Sequence, residues 1–319
     1  MFIKIFKVSV LFLITSLIVF FSGEVVLRGF GGLRACGLGD PSCWSKKSGS
    51  LVFNFLPEGT KRKLEYKAEK PKGTLRIVGL GDSFTYGQGV KSEETFLKLL
   101  EKKLDEKSRF KHENINLAEC GMNIARELEI LEIEGLKYNP DLIIIGFCLN
   151  DPEAEPYKLR RLLPQTIERK IKGSYFYFFL KYRINIILDK FIHDENYDYI
   201  KNLYPPRNIS GWRNLKITME KIGKIGIENN IPIMLIIIPL MENFNDYKYK
   251  PEHGMIAQTG RESGLIVLDT LPDFVTFAEN TSDYYKKMLW ANEKDGHPGV
   301  VAHEIIARSI YNYIRSEPD

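Results

Sequence analysis

Ile77-Val78-Gly79-Leu80-Gly81-Asp82-Ser83-Phe84-Thr85-Tyr86-Gly87-Gln88-Gly89-Val90 decides how this chain is read. A short apolar run with branched residues, entered at Thr74, breaks into glycines where Ser83 stands, the pattern of a buried strand ending in a tight turn. Helical spacing follows, with Phe96, Leu97, Leu99, Leu100 and Leu104 inside residues 92–107. The unit then repeats. Residues 114–118 predict a second strand, 123–137 a helix, and 141–147 a third strand whose nearly unbroken aliphatic run suits burial on both faces. Residues 152–210 interrupt the rhythm with an apolar insertion of helical character carrying Tyr175-Phe176-Tyr177-Phe178-Phe179, longer than the loops of compact domains. A helix over 212–229, a strand over 231–240, a helix over 251–263, a strand over 265–271 and a helix after Pro298 resume the alternation. Strands alternating with helices predict a parallel sheet covered on both faces, with right-handed crossovers and ligands at the carboxyl ends of the strands. Ser83, Gly121 and Asn150 fall at such ends.

The chain has 319 residues, 44% hydrophobic and 27% charged, enough for a large core plus an insertion. Its 45 basic and 41 acidic residues are scattered, so the net charge of +4 builds no local field and no nucleic-acid partner is expected. Lys4 and Lys7 precede an uncharged stretch, 8–23, made mostly of Leu, Ile, Val and Phe. A spanning helix needs about 20 apolar residues and a cleavable signal a centre of about 7–15, so the stretch falls between the two. No small-residue pair of the A-x-A kind follows it, which favours an uncleaved N-terminal transmembrane helix over residues 1–23; a cleaved signal ranks second and a buried core helix third. The lysines ahead of it and Glu24 after it orient the N-terminus to the cytoplasm, giving a single-pass membrane protein whose remainder is periplasmic or at the cell surface. Residues 24–72 read as a stalk and 73–319 as the functional domain. Outside the cytosol, Cys36 and Cys43 are open to disulfide formation.

A serine hydroxyl attacks a carbonyl only when a neighbouring base takes its proton, and the base works best when a carboxylate fixes its tautomer. Of five histidines, His297 stands out in Asp295-Gly296-His297-Pro298, because Asp295 lies two residues away in a loop stiffened by glycine and proline. His112, His193, His253 and His303 read as surface or packing residues. Acyl transfer also needs donors aimed at the oxyanion. Gly121 can bring a backbone N–H close, and Asn150 can supply its amide; taken singly, one is a turn glycine and the other a cap ahead of Pro152. Rival readings fail on spacing. A dinucleotide site beginning at Gly79 and Gly81 requires glycine where Phe84 stands, no Gly-Lys-Ser/Thr follows, and Thr85 occupies the last position of a Gly-x-Ser-x-Gly elbow. The histidine and cysteine spacings support no metal site, and no cofactor is expected.

Gly81-Asp82-Ser83 with Gly87, then Gly121, then Asn150-Asp151, then Asp295 and His297 resemble the four blocks of the SGNH hydrolases, the GDSL esterase/lipase superfamily. The resemblance covers residues 72–319 apart from the insertion. It implies a flavodoxin-like three-layer α/β/α fold around a central parallel sheet, Ser83 as nucleophile, His297 as base and Asp295 as its orienter. It also implies an oxyanion hole of the Ser83 and Gly121 N–H groups and the Asn150 side chain. Two positions depart from the family: Cys148 stands where a glycine is common, and Lys294 where the acid usually precedes the histidine by three residues. A Ser-His dyad assisted by a carbonyl or by Asp283 therefore stays open beside Asp295. The expected activity is hydrolysis of an acyl ester, O-acetyl or lipid acyl, on a carbohydrate or lipid. Transfer of the acyl group to a sugar hydroxyl is the alternative, and a non-catalytic membrane-tethered binding protein ranks below both. The aromatic insertion reads equally as a lid over the substrate or as a helix pair packed by one apolar face.

Overall fold

The structure is a computed structural model. It describes residues 66–152, 198–281, 285–292 and 295–316, the strands 44–47 and 50–53, and the helical residues 15, 18–23, 25–26, 167, 176–177, 180 and 184. The chain divides into two units, Met1–Arg62 with Lys158–Tyr197, and Lys63–Tyr157 with Asp198–Asp319. In the first, β1 (Trp44–Lys47) and β2 (Ser50–Phe53) form an antiparallel hairpin, and Phe20 meets Phe176 edge-on with ring centroids 5.5 Å apart. Among the described residues no helix is long and apolar enough to cross a membrane; most of the stretch 8–23 lies outside them, as do Cys36 and Cys43.

The second unit is built on five parallel strands: β3 (Thr74–Gly81), β4 (Lys111–Asn116), β5 (Leu142–Phe147), β6 (Ile233–Ile237) and β7 (Ile266–Asp269). Their lateral order is β4-β3-β5-β6-β7, which in chain order within the sheet is 2-1-3-4-5, the flavodoxin-like arrangement. The first crossover runs outward to β4 and the next returns past β3 to β5. Right-handed connections therefore throw their helices onto opposite faces. Helix α1 is the short turn Ser83–Tyr86 after β3. Helix α2 (Phe96–Lys107) joins β3 to β4, and α3 (Ile124–Ile133) joins β4 to β5. After the short α4 (Tyr199–Asn202), α5 (Ile209–Asn229) leads into β6 and packs beside α3, with α6 (Lys250–Glu262) on its far side. Helices α7 (Leu271–Glu279), α8 (Tyr285–Leu289) and α9 (Val300–Ser316) follow β7, and α9 packs against α2 and α7.

The core sits where the patterning puts it. Ile143–Ile145 and Ile233–Ile237 are buried on both sheet faces, as a central parallel strand requires. On α2, Phe96, Leu97, Leu100 and Leu104 face inward, and each such burial is worth about 1.5–3 kcal/mol.

Several expected boundaries shift for local reasons. The helix expected over 123–137 stops at Ile133 and tightens to a 3₁₀ turn, Gly135–Tyr138, closed by Asn139 at φ 47°. Pro140 disfavours helical backbone at the residue before it. The strands expected over 231–240 and 265–271 are shorter. Thr270 donates N–H and hydroxyl to Ile237 O, and the Asp269 carboxylate accepts from Leu271 N, turning the chain into α7, a helix the sequence pattern did not suggest. The loop expected at 295–298 is a strand: β9 (Asp295–Pro298) pairs antiparallel with β8 (Trp290–Asn292), Trp290 opposite Pro298.

Candidate active site

The reversal in strand order lies between β3 and β5, and there an open parallel sheet leaves a crevice beyond its strand ends. Ser83 sits at that point, the first residue of α1. Asp82 caps the turn: its carboxylate accepts from Phe84 N at 2.8 Å, and Gly87, at φ 81°, closes it with its N–H on Ser83 O. An aspartate before a helical turn is a sequence-readable cap. Gly81 and Gly146 stand opposite each other on β3 and β5, and a Cβ on either would overlap the Thr85 hydroxyl, which donates to Gly146 O. These two glycines let α1 settle directly onto the strand ends.

His297 arrives from β9. Its Nε2 lies 2.9 Å from Ser83 Oγ, its ring meets Phe84 at 5.3 Å between centroids, and its Nδ1 is 3.4 Å from Gln88 Nε2. The hairpin is tied back where Trp290 Nε1 donates to Met241 O at 2.6 Å. Asp295 opens β9 opposite Asn292; its side chain lies outside the described residues, as does Asp283.

Asn150 follows β5 in a tight turn, in which Asp151 N donates to Cys148 O at 3.1 Å and the Asp151 carboxylate accepts from Cys148 N at 2.9 Å. Cys148 does not have a left-handed backbone, since among the described residues the non-glycine positions with positive φ are Asn139 and Asn230, so the backbone of this turn does not require a glycine there. The Asn150 side chain hydrogen-bonds Asp82, and its Oδ1 is buried without a hydrogen-bond partner among the described residues. Gly121, after β4, is exposed at φ 76° with open space where a Cβ would point.

Two carboxyl groups lie behind the serine. Asp82 is fully buried; desolvation raises its pKa, opposed by the Phe84 N–H, the charge of His297, the Asn150 amide and the Ser83 hydroxyl. Glu127 of α3 is also fully buried, neither oxygen finds a donor among the described residues, and burial together with the Asp82 charge pushes its pKa well up. Glu127 is pushed up the harder of the two, because no hydrogen bond or nearby imidazole opposes its desolvation as they do at Asp82. Burial raises the Cys148 thiol well above its ordinary range, which removes it as a competing nucleophile.

Three of the remaining histidines have other partners, and His193 lies outside the described residues. His253 Nδ1 meets Asp269 at 2.8 Å and its Nε2 meets the Tyr247 hydroxyl at 3.2 Å; His112 pairs with Asp105; His303 is buried under α2. No cluster able to hold a metal ion occurs among the described residues. A cleft of about 260 Å³ opens between α3 and α5, lined by Ile124, Asp151, Pro152, Asn214, Leu215 and Lys221 among others, but neither Ser83 nor His297 reaches it. The sequence pattern gave no role to Gln88 or Glu127. Gln88 stood inside the quoted glycine loop, and Glu127 is a charged residue on the inner face of an amphipathic helix, a signal visible in the periodicity.

No protein-family profile matches the chain, and no curated protein matches it. Solved structures do. It is similar to a catalytic mutant of an acetylxylan esterase from Geobacillus stearothermophilus (15% identity, 76% of this chain and 95% of that one, TM-score 0.49). It is also similar to a lipolytic protein of the G-D-S-L family from Desulfitobacterium hafniense (14% identity, 74% and 98%, TM-score 0.45) and to TesA (12% identity, 75% and 98%, TM-score 0.46). At these identities and scores neither activity nor substrate passes from them to this chain.

Proposed function

We propose that this protein is a serine esterase of the SGNH type, cleaving an acyl ester carried by a carbohydrate or lipid. The observation that carries the reading is the 2.9 Å approach of His297 Nε2 to Ser83 Oγ at the switch point of a parallel sheet. A base within hydrogen-bond reach of a hydroxyl, at a strand end open to substrate, is the minimum for nucleophilic catalysis.

In this reading Ser83 Oγ bonds to the ester carbonyl carbon as its proton passes to His297 Nε2. The carbonyl oxygen, now negative, is met by the N–H groups of Ser83 and Gly121 and by the Asn150 amide. Collapse of the tetrahedral species expels the alcohol, which takes the proton from His297 and leaves Ser83 acylated. Water then repeats the sequence, releasing the acid and restoring Ser83. The Asp82 carboxyl, whose ionised form is favoured by the His297 charge and by the Phe84 N–H, stands near the imidazolium that forms. Asp295 remains the proposed orienter by its place in the same strand as His297. The lysine-flanked stretch 8–23 supports a membrane tether with the site facing outward, toward a polymeric or lipid substrate.

A fluorophosphonate probe should label the full-length chain, and Ser83→Ala should abolish labelling. Labelling that survives the substitution sinks the assignment. Acetate release measured with and without an oligosaccharide acceptor separates hydrolysis from transfer.

A further inference from the structure

A ribbon of three residues paired with four has too few contacts to hold its own place, so the β8–β9 hairpin that carries His297 stands where its neighbours fix it. Trp290 is its fastening point. It pairs opposite Pro298, the residue after His297, and its Nε1 donates to Met241 O at 2.6 Å. Gly299 N donates to Leu289 O at 2.7 Å, and a Cβ on Gly299 would overlap the Trp290 carbonyl, so the chain leaving β9 lies directly on Trp290. The place of the imidazole therefore depends on what holds the Met241 carbonyl.

Met241 is buried in the turn that leaves β6, and Glu242 N closes that turn on Leu240 O at 2.7 Å. Leu240 N donates to the Tyr247 hydroxyl at 3.0 Å, that hydroxyl meets His253 Nε2 at 3.2 Å, and His253 Nδ1 meets Asp269 Oδ1 at 2.8 Å. The hydrogens run one way along this chain. Asp269 accepts from His253 Nδ1, which leaves Nε2 to accept from the tyrosine, whose oxygen accepts from Leu240 N. Its base is rigid: Asp269 ends β7 in register with Ile237 of β6 and also accepts from Leu271 N. Tyr247 and His253 are both buried, and Phe244 stacks on Tyr247 at 5.6 Å between centroids and on Phe274 of α7 at 5.2 Å. Apolar groups of the same shape can fill such a space with nearly no change in stability. What hydrogen bonds add is direction.

We propose that Tyr247 and His253 are positioning residues for His297: with Asp269 they brace the turn at Leu240 against the end of β7, fix the Met241 carbonyl, and through Trp290 hold the hairpin so that Nε2 stays within reach of Ser83. The kinetic consequence rests on the esterase reading, whereas the brace acts on the hairpin whether or not an ester is turned over. It places the strand; orienting the ring within that strand is the separate role proposed for Asp295.

Tyr247→Phe removes one oxygen from the brace, and Trp290→Phe keeps an aromatic ring while removing the Nε1 hydrogen. Each is compared with the double variant in the full-length protein, with Leu104→Ala as a control that opens the core toward the C-terminal end of α2. Either single substitution should lower kcat about tenfold with little change in KM, through displacement of His297. The double variant should fall little further than either, because both cut one path. Leu104→Ala should lower the melting temperature and leave kcat little changed. The His297 imidazole signal in NMR, assigned by its loss in His297→Gln, should move in Tyr247→Phe and Trp290→Phe and stay in place in Leu104→Ala. Where Tyr247→Phe does not fold, His253→Asn replaces it, keeping a donor for Asp269 and losing the atom that faces Tyr247. An imidazole signal unmoved by cutting the brace overturns the proposal even if ester turnover is intact. So do kcat losses that multiply in the double variant, or a loss in Leu104→Ala as large as in Tyr247→Phe. A moved signal, where the wild type turns over no ester, supports the brace and sinks the esterase reading instead.

Discussion

Acid should loosen this fold through His303. The side chain lies on α9, five residues after Pro298 and six after His297, and is fully buried against Phe96, whose backbone N–H it accepts on Nδ1 at 3.2 Å. The two rings stack with centroids 5.9 Å apart. Burial lowers the pKa of His303 to about 4, against an ordinary value of 6.5. The folded protein therefore resists a proton that the unfolded chain takes up, and the unfolded state binds more protons between those two values. Stability from this group is fully present above pH 6.5 and is lost as pH falls toward 4. Linkage over that window gives a loss of about 2 kcal/mol between pH 7 and pH 5, tending to about 3 kcal/mol below pH 4. Urea unfolding of the wild type and of His303→Asn, followed by tryptophan fluorescence at pH 7, 6 and 5, isolates the effect, because the other titrating groups are common to both proteins. The asparagine places an oxygen near the position of Nδ1 and does not titrate. The wild type should lose about 2 kcal/mol more than the variant across that range. Parallel losses would show that His303 is already protonated in the folded state or is not desolvated, and the argument from burial would fail.

Two further substitutions probe how the site is mounted. Gly146→Ala puts a methyl group where the Thr85 hydroxyl lies, so α1 must shift off the strand end; it should cost about 1–3 kcal/mol by overpacking and reduce kcat, read by thermal melting and ester turnover. Wild-type stability in that variant would mean that Thr85 has room to rotate away. Asn150→Ala removes the proposed oxyanion donor and the amide that binds Asp82, and kcat should fall by about 10²–10³-fold with KM little changed. A loss smaller than about threefold would remove Asn150 from the oxyanion hole.

Much of the architecture was legible because parallel strands buried on both faces leave a signal that survives in one dimension. The aliphatic runs ending at Gly81 and Phe147, and the spacing of Phe96, Leu97, Leu100 and Leu104, are set by burial alone. Shorter features were not legible. The β8–β9 hairpin pairs three residues with four, and Asp-Gly-His-Pro is turn-forming by composition, so the strand that presents His297 exists only because Trp290 is anchored at Met241 and pairs opposite Pro298. Helix α7 was hidden because the capping bond from Leu271 N to Asp269 comes from the residue that also binds His253.

The sequence by itself determined the alternation of strand and helix, the placing of Ser83, Gly121 and Asn150 at strand ends, and the choice of His297 among five histidines, since each depends on local patterning or near-neighbour spacing. Only the tertiary structure decided which groups meet. Ser83 and His297 are 214 residues apart in the chain and 2.9 Å apart in space. Gln88 reaches Nδ1, and Glu127 lies buried behind Asp82, because crossovers from distant strands converge there. Proximity of that kind, with the pKa shifts it brings, is a property of packing in a low-dielectric interior, and no spacing along the chain encodes it.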